Sequence, residues 1–238
     1  MVSMFLTISL FLSLDGNEIL KKVEETLNAP RDRVANVKLI LIDKNGKEKI
    51  REIKMWQKGK EKRLIKFLSP QDVKGVGFLV LSDKEMYLWM PAFSKIRRIA
   101  SHVKHEKFMG TDFSYNDIGK SRYTKDYNAE VLEETEDSYI LELIPKPDAD
   151  VAYSKLIMEV DKTNWVPIKV DFFDKNTKKI KVMMNKKVEK IDDYWVPTEI
   201  VMENLEEKHK TVMELLNVQH NLGLSYKIFT KRYLKRAK

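Results

Sequence analysis

Three short segments of this chain are apolar or aromatic at every position: Leu39-Ile40-Leu41-Ile42, Phe78-Leu79-Val80-Leu81 and Met86-Tyr87-Leu88-Trp89-Met90. Successive side chains of a strand point to opposite faces, so a sheet with one wet face alternates apolar and polar residues. A strand apolar on both faces needs cover on both. A flat, one-sided sheet is thereby excluded, and the fold has to wrap these strands or bury them between layers.

Around these segments the chain reads as a ladder of short strands. Residues 34–43 are answered by 47–57 across the hairpin signal Asn45-Gly46. Strands at 62–68, 78–81, 86–90 and 95–99 follow, punctuated by Lys58-Gly59, Pro70 and Pro91. After an irregular stretch at 100–120, strands resume at 129–133, 138–144, 155–160, 168–173, 180–188, 196–203 and 211–218, with a last one at 226–234. Turn clusters such as Asp161-Lys162-Thr163-Asn164 and Asp174-Lys175-Asn176 separate them. Helical signals are few. Residues 15–27 have Asp15 as N-cap, Glu18 three positions on, an apolar face of Ile19, Leu20, Val23 and Leu27, and a stop at Pro30. Short helices are expected near 102–109 and 148–152. The expected fold class is α+β, mainly antiparallel β, with a long sheet that curls because open flat edges aggregate. With neither repeat nor linker in sight, residues 15–238 read as a single domain. The apolar interior is either filled by its own side chains or leaves room for an apolar ligand, and the pattern fits both.

A chain of 238 residues with 43% hydrophobic content buries a sizeable core unaided. It has no Cys, which excludes disulfides, thiolate metal sites and a Cys nucleophile. Of the net charge of +8, Lys227, Lys231, Arg232, Lys235, Arg236 and Lys238 supply +6, leaving +2 for the remainder. This basic tail, 227–238, suits anionic lipid, nucleic acid or a solvated terminal strand. Residues 1–14 carry no charged side chain and match the h-region of a secretory leader in length, without a Lys/Arg n-region or an A-x-A site. A buried terminal strand or helix is the other reading of that run. Export places the chain in the periplasm, and a chain without Cys has no thiol to acylate, so a protein free of a lipid anchor is expected.

Candidate chemistry is sparse. His102 and His105 flank Lys104, but structural zinc takes about four ligands and no others are in view. Asp112 and Asp117 bracket an aromatic stretch; two carboxylates serve a glycosidase, and Asp also caps turns. No G-x-S-x-G, Walker loop or G-x-G-x-x-G occurs, so a hydrolase using these two Asp residues is the weaker reading and no cofactor is implied. Lys95, Arg97 and Arg98, near Phe93 and Phe108, fit phosphate contact with stacking, or an ordinary edge strand. The basic excess outside the tail is small, and nucleic acid is not an expected partner.

Two stretches carry a resemblance. Met90-Pro-Ala-Phe-Ser-Lys-Ile-Arg-Arg-Ile99 and Phe108-Met-Gly-Thr-Asp-Phe-Ser-Tyr-Asn-Asp-Ile118 resemble a signature of the outer membrane lipoprotein-sorting protein family, relatives of the periplasmic lipoprotein carrier LolA. Glu18-Ile-Leu-Lys-Lys-Val23 and Phe67-Leu-Ser-Pro-Gln-Asp-Val-Lys-Gly-Val-Gly-Phe-Leu79 extend it, so that it runs from about residue 15 to beyond 200, with 108–118 its most specific part. The resemblance implies a half-open curled β-barrel with a few helices over the concave face and an interior that holds acyl chains. It implies a periplasmic carrier, without covalent chemistry, of a lipoprotein or other lipid bound for the outer membrane, with a membrane permease or exporter as a further partner. A non-carrier accessory subunit of an export complex is the alternative. The family's lid-closing Arg maps onto no position here. On this reading 100–120 is a lid with Gly110 and Gly119 as hinges, and Lys95, Arg97, Arg98, Gly110, Asp112, Phe113, Tyr115 and Asp117 carry the motif. Met55, Phe67, Leu79, Leu88 and Met90 are the expected lipid-binding wall, with Phe108 and Phe113 added from the lid. A slip of one residue in register would turn any of these strand residues to the other face.

Overall fold

A computed structural model describes residues 14–119 and 122–236. The leader-like run is therefore outside the described residues except for Leu14. Helix α1 (Gly16–Leu27) starts as its sequence predicts: the Asp15 carboxylate accepts from the Asn17 and Glu18 N–H groups at 2.7 and 3.0 Å. Its buried stripe is Ile19, Leu20 and Val23. It packs so closely on the sheet that a Cβ at Gly16 would lie 2.4 Å from the Ala129 carbonyl oxygen.

Strands β1 (Asp32–Ile42), β2 (Glu48–Lys58), β3 (Lys62–Ser69), β4 (Gly77–Ser82), β5 (Glu85–Met90) and β6 (Lys95–Arg98) form a meander. The first turn is closed by Asp43, whose carboxylate accepts from Asn45 and Lys47 N–H, with Gly46 at φ +79°. After an intervening segment, β7 (Tyr127–Glu134), β8 (Ser138–Pro145), β9 (Lys155–Asp161), β10 (Pro167–Phe173), β11 (Lys179–Ile191), β12 (Tyr194–Asn204) and β13 (His209–His220) form a second meander. The order is β6-β5-β4-β3-β2-β1-β13-β12-β11-β10-β9-β8-β7, one antiparallel sheet of 13 strands. The two meanders join where β1 pairs with β13, from Arg33↔His220 to Ile42↔Lys210. Both run outward from that seam, so β6 and β7 are left as edges and the curled sheet stays open, as expected of a half-open barrel. The segment linking these two edges has to cross the concave side. It contains 3-10 turns at Ser101–His105 and Phe108–Gly110 and the short helices α2 (Tyr115–Gly119) and α3 (Tyr123–Asp126).

Two clusters explain the doubly apolar strands β4 and β5, while on β1 Leu39 and Leu41 enter the core and Ile40 and Ile42 stay half-buried on the other face. Phe78, Val80, Met86 and Leu88 face the main core on the concave side. Leu64, Leu79, Tyr87 and Trp89 face outward and pack under Phe229 and Leu234 of the C-terminal segment. That segment corrects the strand expected at 226–234: it is a 3-10 turn, Tyr226–Ile228, followed by helix α4 (Lys231–Leu234). The spacing of Phe229 and Leu234 is that of two docking anchors, not of a pleated face. Its lysines are not simply solvated either, since Lys231 lies 4.0 Å above the Tyr87 ring and Lys235 6.0 Å above that of Trp89. No helix forms at 148–152, which is loop. The helix expected at 102–109 is broken into the two 3-10 turns by extended backbone at Glu106 (ψ 161°) and Lys107 (ψ 126°), and the second turn closes with Met109 at the left-handed φ of 50° before Gly110 at 78°.

Lys66 locks the C-terminal helix to the sheet. It is 3% exposed, and its ammonium donates to the carbonyls of Leu234 and Arg236. Burial pushes its pKa down from 10.5 to about 8. Between those values the unfolded chain binds more protons than the folded one, so stability should rise with pH through this window. Lys66→Met is expected to remove that rise. Denaturant midpoints of both proteins at successive pH values would show it as a widening gap, and parallel curves would contradict it.

Candidate ligand cavity beneath the lid

The register of β1, β2, β3 and β13 builds an apolar strip with basic ends on the concave face. One row runs Arg63–Gln57–Arg33–His220 across β3, β2, β1 and β13. Two and four residues further along come Ile65, Met55 and Ala35, then Phe67, Ile53, Val37 and Leu215. The far row holds Arg51, Leu39 and Met213. Over this strip lies the 99–119 segment, and between them is a cavity of about 190 Å³. Val37, Leu39, Ile53, Met55, Ile65 and Met213 line its floor, and Phe108, Phe113 and Ile118 its roof.

Two guanidiniums clip the roof to the floor. Arg51 donates to the Met109 carbonyl, and Arg63 donates to the Ile118 carbonyl. A third anchor is Asp112, fully buried on the seam side. Its carboxylate accepts from the Thr211 hydroxyl at 2.7 Å and lies 2.6 Å from His209 Nδ1. The Asp112 N–H donates to Thr211 Oγ1 at 3.0 Å, and the Lys181 ammonium donates to its carbonyl at 2.9 Å. Asp117 instead starts α2. Its carboxylate accepts from the Ser114 N–H at 2.8 Å while its own N–H donates to Ser114 Oγ at 3.0 Å, a reciprocal cap. The Tyr153 hydroxyl also donates to it at 3.3 Å, and burial together with the Asp117 charge pushes that phenol well above its ordinary pKa. The roof is stiffened by aromatic packing: the Phe108 ring centre is 5.8 Å from Phe67, 5.2 Å from Phe78 and 5.3 Å from Tyr115.

Of the residues expected to bind lipid, Met55, Phe108 and Phe113 line the cavity, and so does Asp117 of the motif. Phe67 lies behind Phe108 in the packed core, and Leu88 and half-buried Met90 belong to the same concave cluster. Leu79 is on the other face, in the cluster under the C-terminal segment, because Phe78 and Val80 take the inward positions of β4. Lys95, Arg97 and Arg98 are exposed on edge strand β6, away from the cavity. Gly110 provides the left-handed turn beside the Arg51 clip. At Gly119 a Cβ would come within 2.9 Å of Met86 Cε, so its smallness serves close packing. His105 and Lys104 both reach Asp150, at 3.1 and 3.3 Å. Among the described residues no cluster of His, Asp or Glu could hold a metal ion.

A family model described as "-like: Uncharacterized protein" matches residues 59–236, most of the chain. A DUF1329 family protein from Desulfovibrio piger has a structure similar at TM-score 0.86 and 27% identity, covering 92% of this chain and 97% of that one. A structure described as an outer membrane lipoprotein-sorting protein domain, from Vibrio parahaemolyticus, is similar at TM-score 0.83 and 27% identity, covering 93% and 98%. The chain belongs to the family that this model describes, and its fold is the LolA-like fold of these relatives. A LolA superfamily protein from Nitrosomonas europaea, at TM-score 0.78, 24% identity and coverage of 93% and 100%, shares the fold. No curated protein matches the sequence. Within this LolA-like fold the inward Arg33 and Arg63, which line the cavity, and Arg51, which clips its roof, escaped the sequence reading. Their signal is phase: Arg33 stands in phase with the inward Ala35, Val37 and Leu39, and Arg63 with Ile65 and Phe67. Among the described residues no helix is long and apolar enough to cross a membrane.

Proposed function

We propose that this chain is a periplasmic carrier that shelters acyl chains of a lipoprotein or other lipid beneath the 99–119 lid and passes them on towards the outer membrane. The observation that carries this reading is an apolar cavity whose roof is a separate segment, held by side-chain bonds and aromatic packing and not by strand pairing to the floor. Each buried CH₂ contributes about 0.8 kcal/mol, so several long chains in a rigid pocket would never be released. A carrier needs a bistable element that competes with its cargo. The lid fits that need. Its Phe108 and Phe113 occupy the concave face and leave about 190 Å³, below the ~300–1,000 Å³ of common ligand pockets. Cargo would enter by displacing these rings and breaking the Arg51 and Arg63 clips. The leader-like run at 1–14 and the lipoprotein-sorting name of the Vibrio relative support the periplasmic setting, and a membrane permease is a fitting donor or acceptor.

Native mass spectrometry of the protein purified from cells, with lipid extraction, should find near-stoichiometric acyl species. A clean unliganded mass with no uptake of added lipid or acylated peptide would favour an accessory subunit of an export complex. The lid's part is tested by pinning it. Lys107 of the lid pairs with Glu207 of the β12–β13 turn, so Lys107→Cys/Glu207→Cys bridged by a short thiol-reactive linker should cut uptake at least tenfold. Unchanged uptake would remove this segment as the gate.

A further inference from the structure

Arg33 stands at one end of the cavity with nothing to neutralise it. Its Nε is buried without a hydrogen-bond partner, and among the described residues it has no ion pair or ring contact. The acids near it are engaged elsewhere. The carboxylate of its neighbour Asp32 accepts from the Leu222 and Leu224 N–H groups at 2.7 and 2.9 Å. Asp192 lies 3.1 Å from His220, and Asp117 is bonded to Ser114 and Tyr153. Burial pushes Arg33 down to about 10, and Arg63, on the same inward row, falls to about 10 with the Arg33 charge contributing. Buried charges in proteins are normally paired, because an uncompensated ion in apolar surroundings is costly. Here the half-buried Arg33 stands at the end of an apolar cavity beside a like charge, Arg63, whose guanidinium is engaged by the Ile118 carbonyl.

Resting on the carrier reading above, we infer that the cargo of this cavity is an amphiphile with an anionic head, a carboxylate or phosphate seated on Arg33 beside Arg63, with its acyl chain running along the strip towards Arg51. The planar guanidinium fork matches both anions, and such bonds are strongest where water is excluded. Gln57, which stands between Arg33 and Arg63 on the same row, makes this end of the cavity polar. From Arg33 to the Leu39 row is six residues of β1, roughly 20 Å at strand rise, enough for an acyl chain that spans about 15 Å in one bilayer leaflet.

Titration calorimetry on the full chain tests this with four probes: palmitate, palmitoyl lysophosphatidic acid, neutral monopalmitoylglycerol and inorganic phosphate. One or both charged lipids should bind roughly 10- to 100-fold more tightly than the neutral one, and the stronger of them names the source of the anion. Phosphate alone should bind far more weakly than either. Arg33→Met should erase the preference by weakening the charged lipids far more than the neutral one, and raise the melting temperature of the unliganded protein by removing an unpaired charge. Equal affinity for charged and neutral lipids would overturn the anionic head while leaving the carrier standing. Phosphate binding as tightly as the charged lipids would overturn the acyl part. Failure of every lipid to bind would remove the carrier reading itself. An Arg33→Met variant that melts lower and loses both lipid classes by the same factor would make Arg33 a structural residue and overturn its role here.

Discussion

Phe108→Ala is expected to lower folding stability by about 3–5 kcal/mol while raising the affinity for acyl ligands. Phe108 is 0% exposed and packs against Phe67, Phe78 and Tyr115, so its removal takes away core packing at the point where lid and sheet meet. Each aromatic contact adds about 0.5–1.5 kcal/mol beyond area burial, which places the loss towards the upper end. The second effect runs the other way. The ring forms part of the cavity roof, so the vacated volume joins the existing 190 Å³ and the lid competes less with cargo. Urea midpoints at constant m-value would measure the first effect, and titration with a long-chain fatty acid the second. A loss below about 1 kcal/mol would mean that the ring is not a packed part of the core. A loss of affinity would mean that Phe108 is a wall for the ligand and not its competitor.

The ladder of strands was legible because each turn announces itself chemically: Asn45-Gly46, Asp161 to Asn164 and Asp174 to Asn176 all end strands where the structure ends them. The α1 cap was legible for the same reason, since Asp15 has one job that its spacing to Glu18 reveals. Face assignment was not. Where both faces of a strand are apolar, as along Phe78-Leu79-Val80, parity carries no sign, and Leu79 was assigned inward when its cover is the C-terminal segment. That segment was itself misread, because its lysines suggest solvent while Phe229 and Leu234 do the docking. Arg33, Arg51 and Arg63 stayed hidden because a charged residue in a strand is ordinarily read as outward. The phase set by Ala35, Val37 and Leu39 was the signal that would have turned Arg33 inward.

Asp112→Ala should cost about 3–5 kcal/mol, the range for removing one member of a buried, charge-assisted network. The carboxylate is 0% exposed and holds the Thr211 hydroxyl, itself 0% exposed, together with the His209 ring. Without it, the Thr211 hydroxyl loses its acceptor in a place water does not reach, and the half-buried His209 ring loses its partner. The effect belongs to the lid as well as to the fold, because Asp112 ties the 108–113 turn to β13 at the seam. Amide exchange at 107–114 should therefore quicken in the variant more than exchange in β1 or β13. A cycle with Thr211→Val should show a coupling of about 1–3 kcal/mol, since both substitutions break one bond. The acid–base alternative for Asp112 and Asp117 makes a different forecast. Asp112→Asn/Asp117→Asn would then leave stability near the parent and abolish turnover of a glycan or ester. An anchoring carboxylate predicts the reverse: each Asn variant unfolds more easily. If Asp112→Ala left lid exchange unchanged, the carboxylate would not be a lid anchor, and the Arg51 and Arg63 clips, with the backbone bonds of residue 112 to Thr211 and Lys181, would govern its opening.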